Sequence, residues 1–503
     1  MAHYSRFIRR WLDIFWRFLG TPLFWRICLV IFTVQAVYIA LMGSFSMAFD
    51  EHFHLAAIQE YAKVIFPWQV AQPPGPATLS AFTADGSYLY HFLMSWPYRL
   101  LHLFIDSQTA IIVLFRLFDV AIVVLGLCIF RKVLRTLQLS RAAAHSIMAI
   151  IITMPMTPFM AGQLTYDSLF FTLSAATFLA LTRVVQELQA HSKVALKSMA
   201  WAVSGLLFTS QVKYAFLPVA LGAGLFMSGY AAWLLRGKRL RWPKMFQEWR
   251  RQLRGGPALV ALGVMLLGGV LFVQRYGQNY VQYGSLVPEC QVVLGHERCL
   301  GFAPYFRDAD IREKGWYTSI SPESKLQYPW TWLNKMIYES YFTVGPREGN
   351  YRSAPPLPVS FAVGYVLVFG SLLVLLVGLV ILLRAGPMVG LTLSMTVVYM
   401  AVLYAVNYKA FLNTAVPLSI HGRYALIVLP LLGFLVYTVL KNMRSSQIYT
   451  YTIKAFVVLL LMGALWNGGI LVFIIRSDDS WYWPHAVEFS RVVRSMFWPF
   501  IWR

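Results

Sequence analysis

The chain has 503 residues, of which 58% are hydrophobic and 13% charged, and its mean hydropathy is +0.59. These values exclude a soluble globular protein and, with apolar runs of about 20 residues recurring along the sequence, indicate a polytopic helical membrane protein. The formal net charge of +22 does not indicate nucleic-acid binding, because the basic residues lie in short loops between apolar segments, as the positive-inside rule predicts.

The amino-terminal segment, residues 1–22, is basic and is predicted to lie in the cytoplasm. The apolar stretch after it, residues 23–46, is long, lacks a small-residue cleavage site and precedes many further apolar runs. It therefore predicts a retained first helix and not a signal peptide. This helix would leave the membrane near Gly43, which places the loop 47–107 outside. We predict a protein of the bacterial inner membrane whose functional face points to the periplasm; in a eukaryote that face would be lumenal.

Two adjacent carboxylates, Asp50 and Glu51, lie near the start of this external loop. Desolvating an unpaired charge costs several kcal/mol or more, so a carboxylate pair at a membrane boundary indicates a functional site. The alternative is that the pair marks only the end of a helix in the hydrated headgroup layer.

Two segments of the same loop have mixed polarity and predict helices that lie at the membrane interface. They are residues 52–63 and residues 86–105. The second segment is apolar enough to span, but counting it as a span would place the basic loop 131–141 outside. The interfacial interpretation is therefore preferred.

Further apolar segments alternate with basic and non-basic loops and predict about eleven membrane spans in all. After the first helix they are residues 109–130, 144–161, 169–186, 198–211, 215–235, 257–273, 359–383, 388–406, 424–440 and 455–474. We divide the chain into a catalytic transmembrane module, residues 23–255, and a carboxy-terminal transmembrane region, residues 256–503. The aromatic-rich tail, residues 477–503, predicts an amphipathic segment on the outer membrane surface.

One long hydrophilic stretch, residues 275–357, carries nine Lys or Arg against eight Asp or Glu, so it lacks the cytoplasmic bias and is predicted to be an external loop. It contains Cys290 and Cys299, between which we predict a disulfide that would contribute on the order of 2–3 kcal/mol. His296 lies between them and raises a zinc alternative, for which two cysteines and one histidine are a weak signal.

The predicted topology gathers a set of polar and charged side chains on one face of the membrane. The set is Asp50, Glu51, His52, His54, Asp85, His91, Arg116, Asp167, Lys213, Lys409, His421 and Arg423.

Several motifs in this set resemble the C-type (GT-C fold) glycosyltransferases. Residues 49–53, Phe-Asp-Glu-His-Phe, resemble the Phe-Asp-Glu-x-His-Phe motif of the protein O-mannosyltransferases but lack the residue between Glu and His. Residues 165–169, Thr-Tyr-Asp-Ser-Leu, are similar to a second acidic turn of that superfamily, and residues 421–426, His-Gly-Arg-Tyr-Ala-Leu, to its late Arg-Tyr motif. The chain is thus similar to the superfamily of the protein O-mannosyltransferases and the lipid A aminoarabinose transferases, which use polyprenyl-phosphate sugars.

This resemblance implies an all-α polytopic membrane protein of GT-C type. It also implies transfer of a hexosyl or pentosyl group from a polyprenyl-phosphate donor to an acceptor on the outer face. The acceptor stays open among a lipid, a glycan and a protein, and membrane lipids are expected around the chain. No resident cofactor is predicted, but a divalent cation stays an alternative because Asp50 with His52 or His54 could bind one.

Cations are predicted to hold the donor phosphate. A phosphate leaving group is weakly basic, with a second pKa near ~6, so its departure needs neighbouring positive charge more than a proton donor. The predicted phosphate-binding residues are Arg423, Lys213, Arg116 and His421.

A carboxylate is predicted to take the proton that the acceptor loses as it attacks, which contributes roughly 10²–10⁴-fold. Asp50 is the predicted base, and Glu51 is predicted to orient it or to help bind the acceptor. Direct attack by the acceptor predicts inversion at the anomeric carbon. The predicted contacts to acceptor or sugar are His52, His54, His91 and Asp167.

Structural alternatives stay open for several of these residues. Asp167 could instead cap the helix that follows it. Arg116 could pair with Asp119 one turn away. Lys213 and Lys409 could extend to the membrane surface.

Two other classes of function also stay open. A lipid or lipid-linked-sugar flippase would be expected to show internal repeats and charges buried within the spans. The sequence has no clear repeat, and its acidic groups cluster at one boundary. The third class is an inactive scaffold that keeps the fold.

Overall fold

The structure is a computed structural model that describes residues 2–48, 50–237, 242–315, 320–341, 343–344, 353–354, 358–443, 447–466 and 469–497. Phe49 of the carboxylate motif, residues 238–241 of a predicted basic loop and Trp498 of the predicted tail lie outside the described residues.

Helices account for nearly all regular structure in the first half of the described chain. They are α1 (Ala2–Leu19), α2 (Pro22–Met42), α3 (Glu51–Tyr61), α4 (Leu89–His102), α5 (Gln108–Thr136), α6 (Arg141–Thr153), α7 (Met156–Ala161), α8 (Tyr166–His191), α9 (Leu196–Val212), α10 (Leu217–Arg236) and α11 (Trp242–Gln252).

The second half is also helical and contains one pair of two-residue strands. Its helices are α12 (Gly256–Phe272), α13 (Gln278–Tyr283), α14 (Cys290–Leu294), α15 (His296–Cys299), α16 (Ala303–Glu313), α17 (Pro322–Ser340), α18 (Pro358–Val377), α19 (Leu379–Arg384), α20 (Pro387–Thr414), α21 (Leu429–Asn442), α22 (Gln447–Trp466), α23 (Gly469–Arg476) and α24 (Val487–Phe497). Strands β1 (Thr343–Val344) and β2 (Ser353–Ala354) pair antiparallel with Thr343 opposite Ala354.

Side-chain caps fix where several of the long helices begin. Thr21 accepts a hydrogen bond from the Phe24 amide at the start of α2, and Ser107 accepts one from the Ala110 amide at the start of α5. Such a cap satisfies one of the amides that a first helical turn leaves without a partner. Polar residues between apolar runs thus set the ends of the spans.

The predicted class, an all-α polytopic membrane protein, is confirmed. Within the described residues, six helical segments are long and apolar enough to cross a membrane, and shorter apolar helices accompany them. The six are Pro22–Met42, Gln108–Thr136, Tyr166–His191, Tyr214–Arg236, Gly256–Tyr283 and Pro387–Thr414. Each predicted span contains helix, and the number that cross a membrane stays a prediction.

Two predicted spans are broken where the sequence would lead one to expect a break. The segment 144–161 divides into α6 and α7 at Pro155, which has no amide proton to continue the helix. The segment 359–383 divides into α18 and α19 at Gly378, where a Cβ would lie 2.2 Å from a methyl carbon of Val439. Close approach of α21 therefore requires glycine at that position.

The bundle is built from helices that pack side by side. Helices α5, α8, α9 and α12 pack in succession, and α10 packs along α20. Their facing side chains form one continuous apolar core that includes Phe130, Phe171 and Phe178. Because this core is apolar, a polar site is expected in the loops at the two ends of the bundle.

Part of the aromatic tail is buried, which corrects the prediction that the tail lies on a membrane surface. Trp481 is completely inaccessible and packs against Phe159 and Phe473. The amide of Ser44 donates to the carbonyl of Trp481, and the chain after α2 pairs with the tail at Gly43 and Tyr482. An amphipathic helix, α24, follows, so only the last part of the tail keeps the predicted character.

The contact between α5 and α8 can be tested at Gly126. A Cβ there would lie 2.5 Å from Thr172 Oγ1 and 2.8 Å from a ring carbon of Phe171, whereas a Cβ at Gly263 meets nothing within 4 Å. We expect Gly126→Ala to destabilise the protein by about 1–3 kcal/mol through overpacking. Gly263→Ala is the matched control and should be neutral or slightly stabilising, since alanine favours helix. Thermal melts of both variants in one detergent check this, and equal melting temperatures would contradict the packing described.

Candidate functional site

Most of the predicted functional residues converge at one end of the bundle. They lie on five short segments: the start of α3, the start of α4, the start of α8, the residue after α9, and a 3₁₀ turn, Gly422–Ile427, between α20 and α21. Each segment begins or ends a helix, which brings their polar side chains together outside the apolar core.

A fully buried ion pair joins Glu51 to Arg116. The guanidinium donates from Nε to Glu51 Oε1 and from Nη2 to Oε2, both at 2.7 Å, and neither side chain is exposed. The remaining N–H groups of Arg116 donate to the carbonyls of Ala40, Gly43 and Ser44. Glu51 also accepts hydrogen bonds from the amides of two residues, Met47 and Leu164.

The bonding of these two residues differs from what the sequence predicts. Both oxygens of Glu51 are occupied by groups of the protein, and all five N–H groups of Arg116 have partners within the protein. The partner of Arg116 is Glu51 and not Asp119, which lies one turn further along α5. The two residues hold the chain next to Asp50. The acceptor or orienting role of Glu51 and the phosphate contact of Arg116 stay predictions.

A second buried cluster is made by Asp167, Lys213 and Arg423. Lys213 Nζ lies 2.6 Å from Asp167 Oδ1, and Arg423 Nη1 lies 3.3 Å from Asp167 Oδ2. The three side chains are 4–6% exposed. Two cations therefore share one carboxylate, which leaves one positive charge within this trio that the carboxylate does not neutralise.

Aromatic rings surround the ammonium group of Lys213. Its Nζ lies 4.5 Å from the ring centroid of Tyr166 and 4.5 Å from that of Tyr424. Cation–π contacts of this kind stabilise a desolvated charge. The snorkelling alternative is therefore wrong for Lys213, whose charge points into the protein, while Lys409 is exposed, as that alternative predicts.

The electrostatics of the two cations follow from burial and from the carboxylates near them. Burial lowers the pKa of Lys213 to about 8, and Asp167 and, more weakly, Asp50 oppose this effect. Burial also lowers the pKa of Arg423, but the negative charge of Asp167 and, more weakly, that of Asp50 raise it by more. The pKa of Arg423 is therefore above its usual value. Arg423 is thus always charged, whereas Lys213 titrates near neutrality.

The same cluster shows what caps α8. Thr165, and not Asp167, is the cap: its hydroxyl accepts a hydrogen bond from the Asp167 amide. Asp167 lies in the first turn, where a negative charge also interacts favourably with the helix dipole. The capping alternative for Asp167 is therefore wrong, and its carboxylate is directed to the two cations. Its contact to acceptor or sugar stays a prediction.

Asp50 is the exposed carboxylate of the site. It directly precedes α3 with φ 63° and ψ 32°, a left-handed conformation that Asp adopts more readily than most residues, and its side chain does not cap the helix. Its negative charge acts on Lys213, on Arg423 and on His421. An accessible carboxylate thus lies beside buried cations.

Two histidines, His54 and His91, form a buried stacked pair. His54 Nδ1 lies 2.8 Å from His91 Nε2, and the ring centroids are 5.1 Å apart. Burial lowers the pKa of His91 to about 3. The pKa of His54 also lies well below its usual value, because the ring is buried and, secondly, because of the charge that His91 would carry. Both rings are therefore neutral at physiological pH. His52 is exposed on the same helix.

His421 lies at the edge of the cluster. Its Nδ1 is 3.7 Å from Glu339 Oε2, a buried carboxylate of α17 that the sequence reasoning missed. Burial lowers the pKa of His421, although its bond to Glu339 opposes this. Asp85 accepts a hydrogen bond from the Ser87 amide, and burial raises the pKa of its carboxyl group.

A buried network beneath the site was also missed. Asp119 accepts hydrogen bonds from the Tyr90 hydroxyl at 2.8 Å and from the Thr165 amide at 3.1 Å. It thereby links α4, α5 and the start of α8. The signal in the sequence was the carboxylate within an apolar run, whose cost of burial demands a partner.

The predicted bridge between Cys290 and Cys299 is present, with an S–S distance of 2.04 Å. It lies between α14 and α15 and packs against Ala77 of the first external loop. His296 faces Tyr305, with 2.8 Å between Nδ1 and the hydroxyl oxygen. Across the residues that the structure describes, no group of three His, Cys, Asp or Glu side chains could hold a metal ion.

The apolar helices and the polar end of the bundle define an integral membrane protein of the all-α class. A family profile described as "Predicted membrane protein (DUF2142)" matches residues 77–333, just over half of the chain, and the chain belongs to this family. The matched region contains Asp167 and Lys213, whereas Asp50 and Arg423 lie outside it.

Among solved structures, the chain is similar to the archaeal oligosaccharyltransferase AglB from Archaeoglobus fulgidus, in complex with an inhibitory peptide and a dolichol-phosphate. The two are 14% identical with a TM-score of 0.47, over 89% of this chain and 55% of that one. This chain therefore spans about half the length of AglB. No curated protein matches the chain significantly.

The role of Glu51 can be tested by removing its charge. Glu51→Gln leaves Arg116 buried without a counter-charge, so we expect a loss of about 3–5 kcal/mol of stability. The control is Glu60→Gln on the same helix, since Glu60 pairs with Lys63 at a surface where the two side chains are 25% and 66% exposed. That change should cost no more than about 1 kcal/mol. Thermal melts and the yield of monodisperse protein check both, and equal behaviour of the two variants would contradict the positioning role.

Proposed function

We propose that the chain is a membrane glycosyltransferase of GT-C type that transfers a sugar from a polyprenyl-phosphate donor to an acceptor hydroxyl or amine. One observation carries the proposal: the exposed carboxylate of Asp50 directly precedes α3 at the end of the bundle where two buried cations, Lys213 and Arg423, share Asp167. The motif resemblance of residues 49–53 and 421–426 supports the same reading.

In this proposal Lys213 and Arg423 bind the donor phosphate. Asp167 holds both cations in place and leaves one positive charge within the trio for an anion. The two cations are almost inaccessible to water. A phosphate diester bound to them would therefore be held by charge-assisted hydrogen bonds. Gly422 allows the turn that carries Arg423 to approach α17 closely, since a Cβ would lie 2.1 Å from Ser340 Oγ.

Asp50 is the proposed general base. The acceptor oxygen or nitrogen forms a bond to the anomeric carbon while the bond from that carbon to the phosphate oxygen breaks. The acceptor proton passes to Asp50, and the electron pair of the broken bond stays on the phosphate, where Lys213 and Arg423 stabilise it. Attack from the side opposite the phosphate inverts the anomeric configuration.

The neutral histidine pair is proposed to contact the acceptor or sugar. The ring of His54 lies 4.6 Å from that of Tyr166, and the Lys213 ammonium lies 4.5 Å from the same Tyr166 ring. Neutral imidazoles donate and accept hydrogen bonds without competing for the phosphate. His52, exposed beside Asp50, is proposed to contact the acceptor as it enters.

A flippase without transferase activity is the second candidate. A carboxylate can serve either class, because proton-coupled transporters also use Asp and Glu as proton relays, so the position of the site is what favours transfer. The site is at one end of the bundle, whereas transporter sites lie near the bilayer midplane.

Donor turnover by the purified full-length protein tests the proposal. With a radiolabelled polyprenyl-phosphate sugar and membrane extract as acceptor source, Asp50→Asn should lower the single-turnover rate by roughly 10²–10⁴-fold. Asparagine also tolerates the left-handed backbone at this position. Arg423→Ala should weaken donor binding. The matched controls are Asp106→Asn, an exposed carboxylate of the same loop, and Lys409→Ala. Unchanged turnover in both site variants, or donor movement without bond cleavage, would overturn the assignment.

The pH dependence of donor binding is set by Lys213. The ammonium form binds phosphate and is lost as the pH rises through about 8, whereas Arg423 stays charged and a phosphate diester keeps its charge. Affinity for the donor should therefore be constant below neutrality and fall above pH 8. Lys213→Arg should retain affinity at high pH, since the guanidinium pKa exceeds about 12. Equilibrium binding across the pH range checks this, and a parent profile that stays flat to high pH would show that Lys213 does not bind the phosphate.

A further inference from the structure

A small polar crevice lies beside the site, at the carboxyl end of α12. Its volume is about 170 Å³, and it is lined mainly by amide and aromatic side chains, which include Trp68, Gln274, Gln278, Gln282 and Tyr283. None of these residues was assigned a role from the sequence. The first external loop forms the other wall, at Thr83 and Ala84.

The crevice is formed where the helix changes its winding. A π-helical turn, Val273–Gly277, separates α12 from α13, and such turns occur frequently at functional sites. Three glutamines are spaced by four residues: Gln274 lies in this turn, and Gln278 and Gln282 lie in α13. This spacing places them along one side of the helix. A row of amides offers both donors and acceptors to a ligand.

Two buried polar atoms in this wall have no partner among the described residues. They are Gln274 Oε1, an acceptor, and Arg275 Nε, a donor. Arg275 is only 2% exposed, and its other nitrogens are occupied: they donate to the carbonyls of Phe82 and Thr83 and to the Tyr61 hydroxyl. Buried polar groups are normally hydrogen-bonded, so these two atoms leave the wall of the crevice incompletely satisfied within the described residues. Both atoms are inaccessible to solvent, so the groups open to a ligand are the exposed amides of Gln278 and Gln282.

An aromatic platform lies at the mouth of the crevice. The rings of Phe66 and Trp68 stack with centroids 4.8 Å apart and an interplanar angle of 4°, and Trp68 is 48% exposed. A flat exposed indole beside a row of amides suits a sugar, whose ring has an apolar face and a rim of hydroxyl groups. Among the described residues that line the crevice, Arg275 alone is charged.

Two hydrogen bonds connect the wall of the crevice to the segment that carries Lys213. Tyr276, next to Arg275, donates its hydroxyl hydrogen to the Ser210 carbonyl at 2.6 Å, and Lys213 follows three residues later. The ring of Tyr88 lies under the Arg275 guanidinium at 4.4 Å, and its hydroxyl donates to Gln211. A glycan held in the crevice would therefore contact a wall that is bonded to the end of α9, next to Lys213.

We infer that this crevice binds carbohydrate and that the acceptor is a glycan whose penultimate sugars lie between Trp68 and the glutamine row. The acceptor part of this inference rests on the proposed function; the binding part does not. The exposed amides of Gln278 and Gln282 would bond to sugar hydroxyls, and the indole of Trp68 would cover the apolar face of the ring.

Direct binding tests the inference. The full-length protein, in a detergent without a sugar headgroup, is titrated with three neutral probes: cellotriose, chitotriose and α-mannotriose. Binding is followed by tryptophan fluorescence and by saturation-transfer NMR. We expect saturable binding of at least one probe in the millimolar range, weakened about ten-fold or more in Trp68→Ala and in Gln278→Ala. The matched control is Trp330→Ala, a tryptophan of α17 that is 56% exposed and should leave binding unchanged.

Melting temperatures of all variants are measured first, and Gln278→Ala, at an exposed position, provides the readout if Trp68→Ala unfolds. Absence of binding by all three probes, or equal binding in parent and crevice variants, overturns the inference. Hydrolysis of the donor by water, measured without any glycan, separates the two proposals. Hydrolysis that needs Arg423 in a protein that binds no probe would leave the proposed function standing and the crevice assignment wrong. Sugar binding at Trp68 without any donor turnover would overturn the acceptor role and the proposed transferase.

Discussion

The buried pair between Glu51 and Arg116 is the interaction on which the geometry of this end of the molecule depends. Withdrawing two charges from water costs several kcal/mol per ion, which only good geometry and further hydrogen bonds offset. Here the two side chains bond to each other twice and to backbone groups on α2, on the residues after it and at Leu164. Asp50 directly precedes Glu51, and Asp167 follows Leu164 by three residues. One ion pair therefore fixes the separation of the two other carboxylates of the site.

The site separates accessible charge from buried charge. Asp50 is exposed to solvent, whereas Asp167 is enclosed with its cations. A buried carboxylate shared by two cations keeps both at a fixed distance and lowers their mutual repulsion.

Much of the architecture could be predicted from the sequence, since apolar length and loop charge are local properties. Such patterns predict the helices in the first loop, observed as α3 and α4, the pairing of Cys290 with Cys299, and the gathering of charged side chains at one end. The partner of Arg116 could not be predicted. Asp119 is near in sequence, but Glu51, 65 positions away, is the residue that α5 faces once it packs on α2. Glu339 and the crevice beyond α12 were missed for the same reason. Glu339 lies near His421, and the crevice is completed by the first external loop, and both partners are distant in the sequence.

The segment between α2 and Asp50 is held by the end of the chain as well as by Arg116. The Ser44 amide donates to the Trp481 carbonyl, and the Trp483 amide donates to the Met42 carbonyl. The residues at the end of α2 thus acquire these neighbours only after residues 481–483 have been synthesised. This end of the bundle is consequently completed late in biogenesis. A polypeptide that ends before Trp481 would form most of the helices, but Met42 and Ser44 would lack their backbone partners at Trp483 and Trp481.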